Sequence, residues 1–143
     1  MRRERSEAQG WFEKAISADG QFTEAYVNLA KLLIGQKKNI EAESLLIKSI
    51  SLNPHYAEAL AVLANLDLNM GKLDDAIANA QKVHSLPHVN LPAAHLIAAV
   101  ALEKKQLYPE AAAEYRQFLE EAPASASANQ LRAHMAAITN LVH

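Results

Sequence analysis

The stretch from Thr23 to Pro54, TEAYVNLAKLLIGQKKNIEAESLLIKSISLNP, decides how the rest of the chain is read. Ala25, Tyr26, Leu29, Leu32 and Leu33 recur at helical spacing and make one apolar stripe on a first helix. Lys37-Lys38-Asn39 interrupts that period, and Ile40, Leu45, Leu46, Ser49 and Ile50 begin a second one. Asn39 is expected to cap the second helix, because a short polar side chain there can accept a hydrogen bond from a free amide of the first turn. Asn53-Pro54 ends it, since proline disfavours helical geometry in the residue before it. The unit is helix, tight turn, helix, short loop.

The unit recurs on both sides of this stretch. An acidic residue followed by alanine appears as Glu7-Ala8, Glu41-Ala42, Asp75-Ala76 and Glu110-Ala111, with the alanines 34, 34 and 35 residues apart. Phe12, Leu46, Ala80 and Tyr115 stand four places beyond each alanine, and Ala15, Ser49, Val83 and Phe118 seven places beyond, which is one helical face. Gly71, after Asn69-Met70, marks the tight turn of the next copy, where a left-handed residue closes a helix without a Cβ clash. Pro54 and Pro123 lie twelve residues after their alanines and Pro87 eleven, so the extra residue of the last spacing falls in the loop from Ser85 to Leu91. Alanine at 42, 76 and 111 has a packing reason: a longer side chain would hold two crossing helices apart.

Composition agrees with close-packed helices. The 143 residues are 50% hydrophobic yet only 6% aromatic, and 28 are alanine, which disfavours a sheet built from β-branched and aromatic side chains. Four glycines, five prolines and a 21% charged fraction exclude both a disordered chain and a fibrous repeat. A formal charge of −2 supplies no electrostatic footprint for a nucleic acid backbone or an anionic membrane surface. The absence of cysteine removes disulfides and sulfur-ligated metals. No apolar stretch reaches the roughly 18 to 20 residues of a membrane span, and Met1-Arg2-Arg3-Glu4-Arg5 leads into a polar amphipathic segment with no signal-type apolar region. The compartment stays open between cytoplasm and bacterial periplasm.

With this period, the chain resembles the tetratricopeptide repeat family, whose 34-residue unit runs W-x-x-L-G-x-x-Y, then A-x-x-x-F, then P. The matching residues are Tyr26, Leu29, Ala30, Leu33, Ala42, Leu46 and Pro54 in one copy; Leu60, Leu63, Ala64, Asp67, Gly71 and Ala76 in the next; His95, Ala98, Ala99, Leu102, Ala111, Tyr115 and Pro123 in the third. Asp67 and His95 depart from the aromatics the family prefers, and Ala98 from its leucine. The resemblance implies an all-α, right-handed superhelical α-solenoid of antiparallel helix pairs, with seven or eight helices in a single domain. Its parts are a second-helix half-repeat at 5–20, repeats at 23–56, 57–91 and 92–125, and a capping helix at 126–142, where Ala128, Leu131, Met135, Ile138 and Leu141 form one stripe. The half-unit start points to excision from a longer solenoid, the alternative being a native start at Met1 with this helix as a cap.

Several constellations invite a chemical reading and are set aside. His84-x-x-x-His88, with His95 beyond, has the spacing of a helical metal pair, but Pro87 breaks the helix between the two imidazoles and no acidic residue lies inside the pair. Asp74-Asp75, Glu110, Glu114 and Glu120-Glu121 are expected on solvated faces of second helices, away from acid–base work. No phosphate loop, nucleophile elbow or nucleophile–base pair is present, so no catalytic residue, metal or cofactor is assigned. Trp11 has two open readings: partial burial near Tyr26, or an exposed anchor for a further helix or a partner.

In the family the first helices line the inner surface, which makes the residues one step off their core stripes the candidate site. These are Glu24, Val27, Asn28, Lys31 and Ile34 from the first complete unit, Glu58, Ala61, Asn65 and Leu68 from the second, and Ala93, Leu96, Val100 and Glu103 from the third. Half are apolar, more than a two-layer stack needs to bury, which suits a groove for an amphipathic helix or extended apolar segment of a partner protein. The alternative is that Val27, Ile34, Leu68 and Leu96 are covered by the chain's own curvature or by a second copy. Relatives that clamp a carboxyl terminus use several Lys, Arg and Asn residues here. Lys31, Asn28 and Asn65 are the only comparable groups, with Val62, Leu96 and Ile97 where further polar ones are wanted, so that mode is disfavoured. The expected function is a scaffold or adaptor binding a protein or peptide. Two other readings remain: self-association through the terminal helices, and the non-catalytic arm of a larger enzyme.

Overall fold

A computed structural model describes residues 2–141 as eight helices with, among these residues, no strand. Met1, read above as a possible native start, and Val142, the last residue of the expected capping segment, lie outside the described residues. The helices are α1 (Arg2–Ala18), α2 (Thr23–Gly35), α3 (Asn39–Leu52), α4 (Ala57–Asn69), α5 (Leu73–Ser85), α6 (Ala93–Lys104), α7 (Tyr108–Glu121) and α8 (Ala128–Asn140). The densest packing is within the pairs α2/α3, α4/α5 and α6/α7.

Each pair is joined by the same three-residue turn. Lys37, Gly71 and Gln106 stand at equivalent places with φ of 62°, 77° and 62°. In each turn the amide after this residue reaches back to the helix: Lys38 N to Leu33 O at 2.9 Å, Lys72 N to Asp67 O at 2.8 Å, Leu107 N to Leu102 O at 2.9 Å. The left-handed residue itself donates to Ile34, Leu68 and Glu103 respectively. This is a Schellman ending, which satisfies carbonyls the helix leaves free. The carbonyls of Lys38, Lys72 and Leu107 then accept the amides of Ala42, Ala76 and Ala111. The three alanines are thus held at the start of each second helix, and each is fully buried. Asn39 does not cap α3: it is already the first helical residue, and no side-chain cap bond is made at Lys38. The turn leads into the helix so tightly that backbone bonds do the work expected of the cap.

Packing is strictly between near neighbours. Beyond consecutive helices, the backbones of α2 and α4 and of α4 and α6 approach closely, and α8 reaches α6 through side chains alone. First helices touch one another and second helices do not, so the stack is wound with α2, α4 and α6 on its inner side and α3, α5 and α7 splayed outside. Three apolar clusters follow one another along the stack, centred on Leu46 and Leu66, on Leu60 and Val83, and on Leu102 and Tyr115. The structure is an α-solenoid. The ends are thinner: α1 has no fully buried residue, and Trp11 is 69% exposed with the Lys14 ammonium 5.4 Å from its ring centroid. Burial of Trp11 near Tyr26 is therefore not what the fold does. Tyr26 is itself buried and donates its hydroxyl to Gly20 O at 2.9 Å, so the space beside it is taken by the loop. Among the described residues, no helix is long and apolar enough to cross a membrane.

Candidate functional site

The inner side carries an open groove of about 550 Å3 formed by α2, α4 and α6. Its walls are Lys31 and Ile34 from α2, Ala61, Val62, Asn65, Leu66 and Asn69 from α4, and Ala93, Leu96 and Ile97 from α6. The α4 residues fall at spacings of three and four, one face of a single helix. The lining is mainly aliphatic, with two carboxamides and one ammonium as its polar groups. That ammonium is engaged: Lys31 forms an ion pair with Glu58, which also accepts the Tyr56 hydroxyl at 3.0 Å. The Lys31 bond holds the Glu58 carboxyl below the usual range, and burial together with Glu58 pushes the Tyr56 hydroxyl up to about 12.

Of the residues singled out by spacing, Lys31, Ile34, Ala61, Asn65, Ala93 and Leu96 share this groove. Val27 does not. It is 0% exposed and belongs to the cluster that joins α2 to α4 through Ala59, Leu63 and Leu66, because α2 has α1, α3 and α4 packed around it and so buries a wider arc than a two-layer helix. Glu24 is exposed in the first turn of α2, and Asn28 and Leu68 are half-buried outside the groove. Val100 and Glu103 line a separate hollow of about 380 Å3 with Tyr108, Tyr115 and His134, towards α8. There Glu103 accepts hydrogen bonds from Tyr115 at 2.8 Å and from His134 at 2.8 Å. Burial raises the Glu103 carboxyl, but these two bonds outweigh it and leave the group below its usual range. Burial and Glu103 hold the Tyr115 hydroxyl above its usual range. Val62, Leu66, Asn69 and Ile97 complete the groove, and the signal that finds them is a stripe shifted by one residue along α4 and α6.

Histidines meet in one other place. His88 is exposed on the loop with φ of 61°, whereas His84 on α5 and His95 on α6 stack with ring centroids 3.6 Å apart. Burial, followed by the charge of His95, keeps the His84 imidazole below its usual range. Glu114 and Glu121 turn toward His95, so these two carboxylates of α7 are not merely solvated-face groups.

Comparisons with known proteins follow the same geometry. A tetratricopeptide repeat family model matches residues 33–83. The Drosophila melanogaster protein O-mannosyl-transferase Tmtc3 is 34% identical over 108 residues, 74% of this chain and 12% of the fly protein. The crystal structure of MamA protein superposes with a TM-score of 0.74 at 27% identity, over 83% of this chain and 64% of MamA. The first TPR of Spaghetti (RPAP3), bound to the HSP90 peptide SRMEEVD, superposes with a TM-score of 0.77 at 18% identity, over 87% of this chain and 95% of that one. The chain spans about an eighth of the fly protein and under two thirds of MamA. The 34-residue period, the repeated Schellman turns, the buried alanines and these matches lead to one assignment: the chain belongs to the tetratricopeptide repeat family.

Proposed function

We propose that this chain is a protein-interaction module whose α2–α4–α6 groove receives an apolar segment, helical or extended, from a partner protein, with no catalysis of its own. The observation that carries this reading is the continuous aliphatic lining of the groove on the side where first helices converge. Exposed apolar surface of that extent on a concave face is released from water when a partner side chain fills it. The peptide-bound Spaghetti domain supports the use of this fold for peptides. A carboxylate-clamping mode is not favoured here, because the one cation of the groove, Lys31, is already paired with Glu58.

A groove variant tests this. Val27→Glu would place a charge in the core, so the substitutions belong at Ala61→Glu with Leu96→Glu. Peptides selected from a displayed random library on the native chain should bind this double variant at least about tenfold more weakly, a difference of about 1.4 kcal/mol, while its helicity stays unchanged. Equal binding to both proteins overturns the proposal.

A second reading rests on Trp11. A tryptophan 69% exposed on a helix with no fully buried residue suits self-association or the docking of a further helix. Sedimentation over a range of concentrations separates the two, since a monomer throughout removes self-association.

A further inference from the structure

The geometry points to a binding site for a divalent transition-metal ion of the zinc type, built from His84, His95 and Glu114 with Glu121 beside them, that ties α5, α6 and α7 together. One ligand atom from each of His84, His95 and Glu114 lies within 4.8 Å of the others. His95 Nδ1 is 2.6 Å from Glu114 Oε2, and His95 Nε2 is 3.1 Å from Glu121 Oε1. Two imidazole nitrogens with carboxylate oxygens form the borderline donor set that zinc, cobalt and nickel prefer, and that calcium and magnesium do not.

A second observation is independent of these distances. His84 Nε2 is buried and has no hydrogen-bond partner. Buried polar atoms are almost always matched, and one left over at the edge of a histidine–carboxylate cluster is explained by a cation in that position.

Tetrahedral coordination with bonds of about 2.1 Å puts ligand atoms roughly 3.4 Å apart, against a present spread of up to 4.8 Å. The two rings now stack with 20° between their planes, so one must leave the stack for both to aim at a common ion. Rotation of His84 about its Cβ–Cγ bond is the movement the proposal requires; that torsion has a broad profile, and the nitrogen forfeits no existing hydrogen bond. The ion would span the boundary between α5 and α6, which are joined by residues 86–92, the longest connection among the described residues.

Titration of the untagged full chain with Zn2+ should give one site, a melting temperature that rises with zinc concentration, and, on loading with Co2+, the visible absorption of a tetrahedral nitrogen–oxygen site. H84N and E114Q should each weaken Zn2+ binding by at least about tenfold and abolish the cobalt band, whereas H88N should change neither. H84N is the cleaner variant, since the nitrogen it removes bonds nothing in the fold. It keeps the test decisive should E114Q lower helicity. The absence of a zinc-dependent shift in the native chain overturns the inference, as does zinc binding that persists undiminished in H84N.

Discussion

At the scale of single residues, the departures from the family pattern are the informative positions. Asp67 and His95 occupy places where relatives carry aromatics, and both are buried. Each finds a polar partner on the following helix: the Asn79 amide donates to Asp67 at 2.9 Å, and Glu114 meets His95. For Asp67 the match is incomplete. It is 2% exposed, and burial raises its carboxyl above the ordinary value, with Asp75 and Glu43 adding to this and Asn79 and Lys72 opposing it. Between the ordinary and the raised value the folded state binds more protons than the unfolded one, so stability falls as pH rises through that window. Asp67→Asn keeps an oxygen to accept from Asn79 and removes the ionisation. Its unfolding free energy should lack this fall and should exceed that of the native chain at neutral pH. Denaturation in urea from mildly acidic to neutral pH checks this, and parallel profiles for the two proteins would show that Asp67 has no such linkage.

At the scale of elements, the pairs depend on their turns. The three turns share one conformation although only one of the left-handed positions is glycine. Nothing lies within 4 Å of a Cβ built on Gly71, so replacing it meets no neighbour and costs only the left-handed backbone. Gly71→Ala should therefore lose about 1 kcal/mol, and Lys37→Gly and Gln106→Gly should each gain up to a similar amount, offset in part by the entropy of the unfolded chain. Thermal unfolding of the three variants reads these signs directly; a destabilised Lys37→Gly would mean that the lysine side chain contributes more than its backbone strain costs. The outer helices are held differently. With no buried residue in α1 and two in α8, these elements are held more loosely, α1 by α2 and α8 by α7 and a few side chains of α6, whereas α4 is packed from four sides.

At the scale of the whole molecule, stability is spread along a line. Contacts run only between near neighbours, so the energy approximates a sum over adjoining units. Ala42 belongs to the first apolar cluster and Ala111 to the last. Overpacking either crossing with leucine should cost about 1–3 kcal/mol. Because the two share no partner, the double variant should lose the sum of the single losses to within about 0.5 kcal/mol. A denaturation cycle on the four proteins measures this, and a coupling well beyond that margin would show that the stack transmits strain from end to end.

The sequence by itself determined the period, the helix pairs, the tight turn at Gly71 and the buried alanines, because each of these depends on residues within one unit or on its copy 34 or 35 places away. A helix of fixed pitch carries that information locally. The tertiary structure alone decided how far each unit is turned on the next, since this angle is set by side chains meeting across units. That rotation buries Val27 between α2 and α4 and shifts the groove by one residue toward Val62, Leu66 and Ile97. It also brings His84 and His95 together with Glu114, three residues on three helices that no spacing along the chain connects.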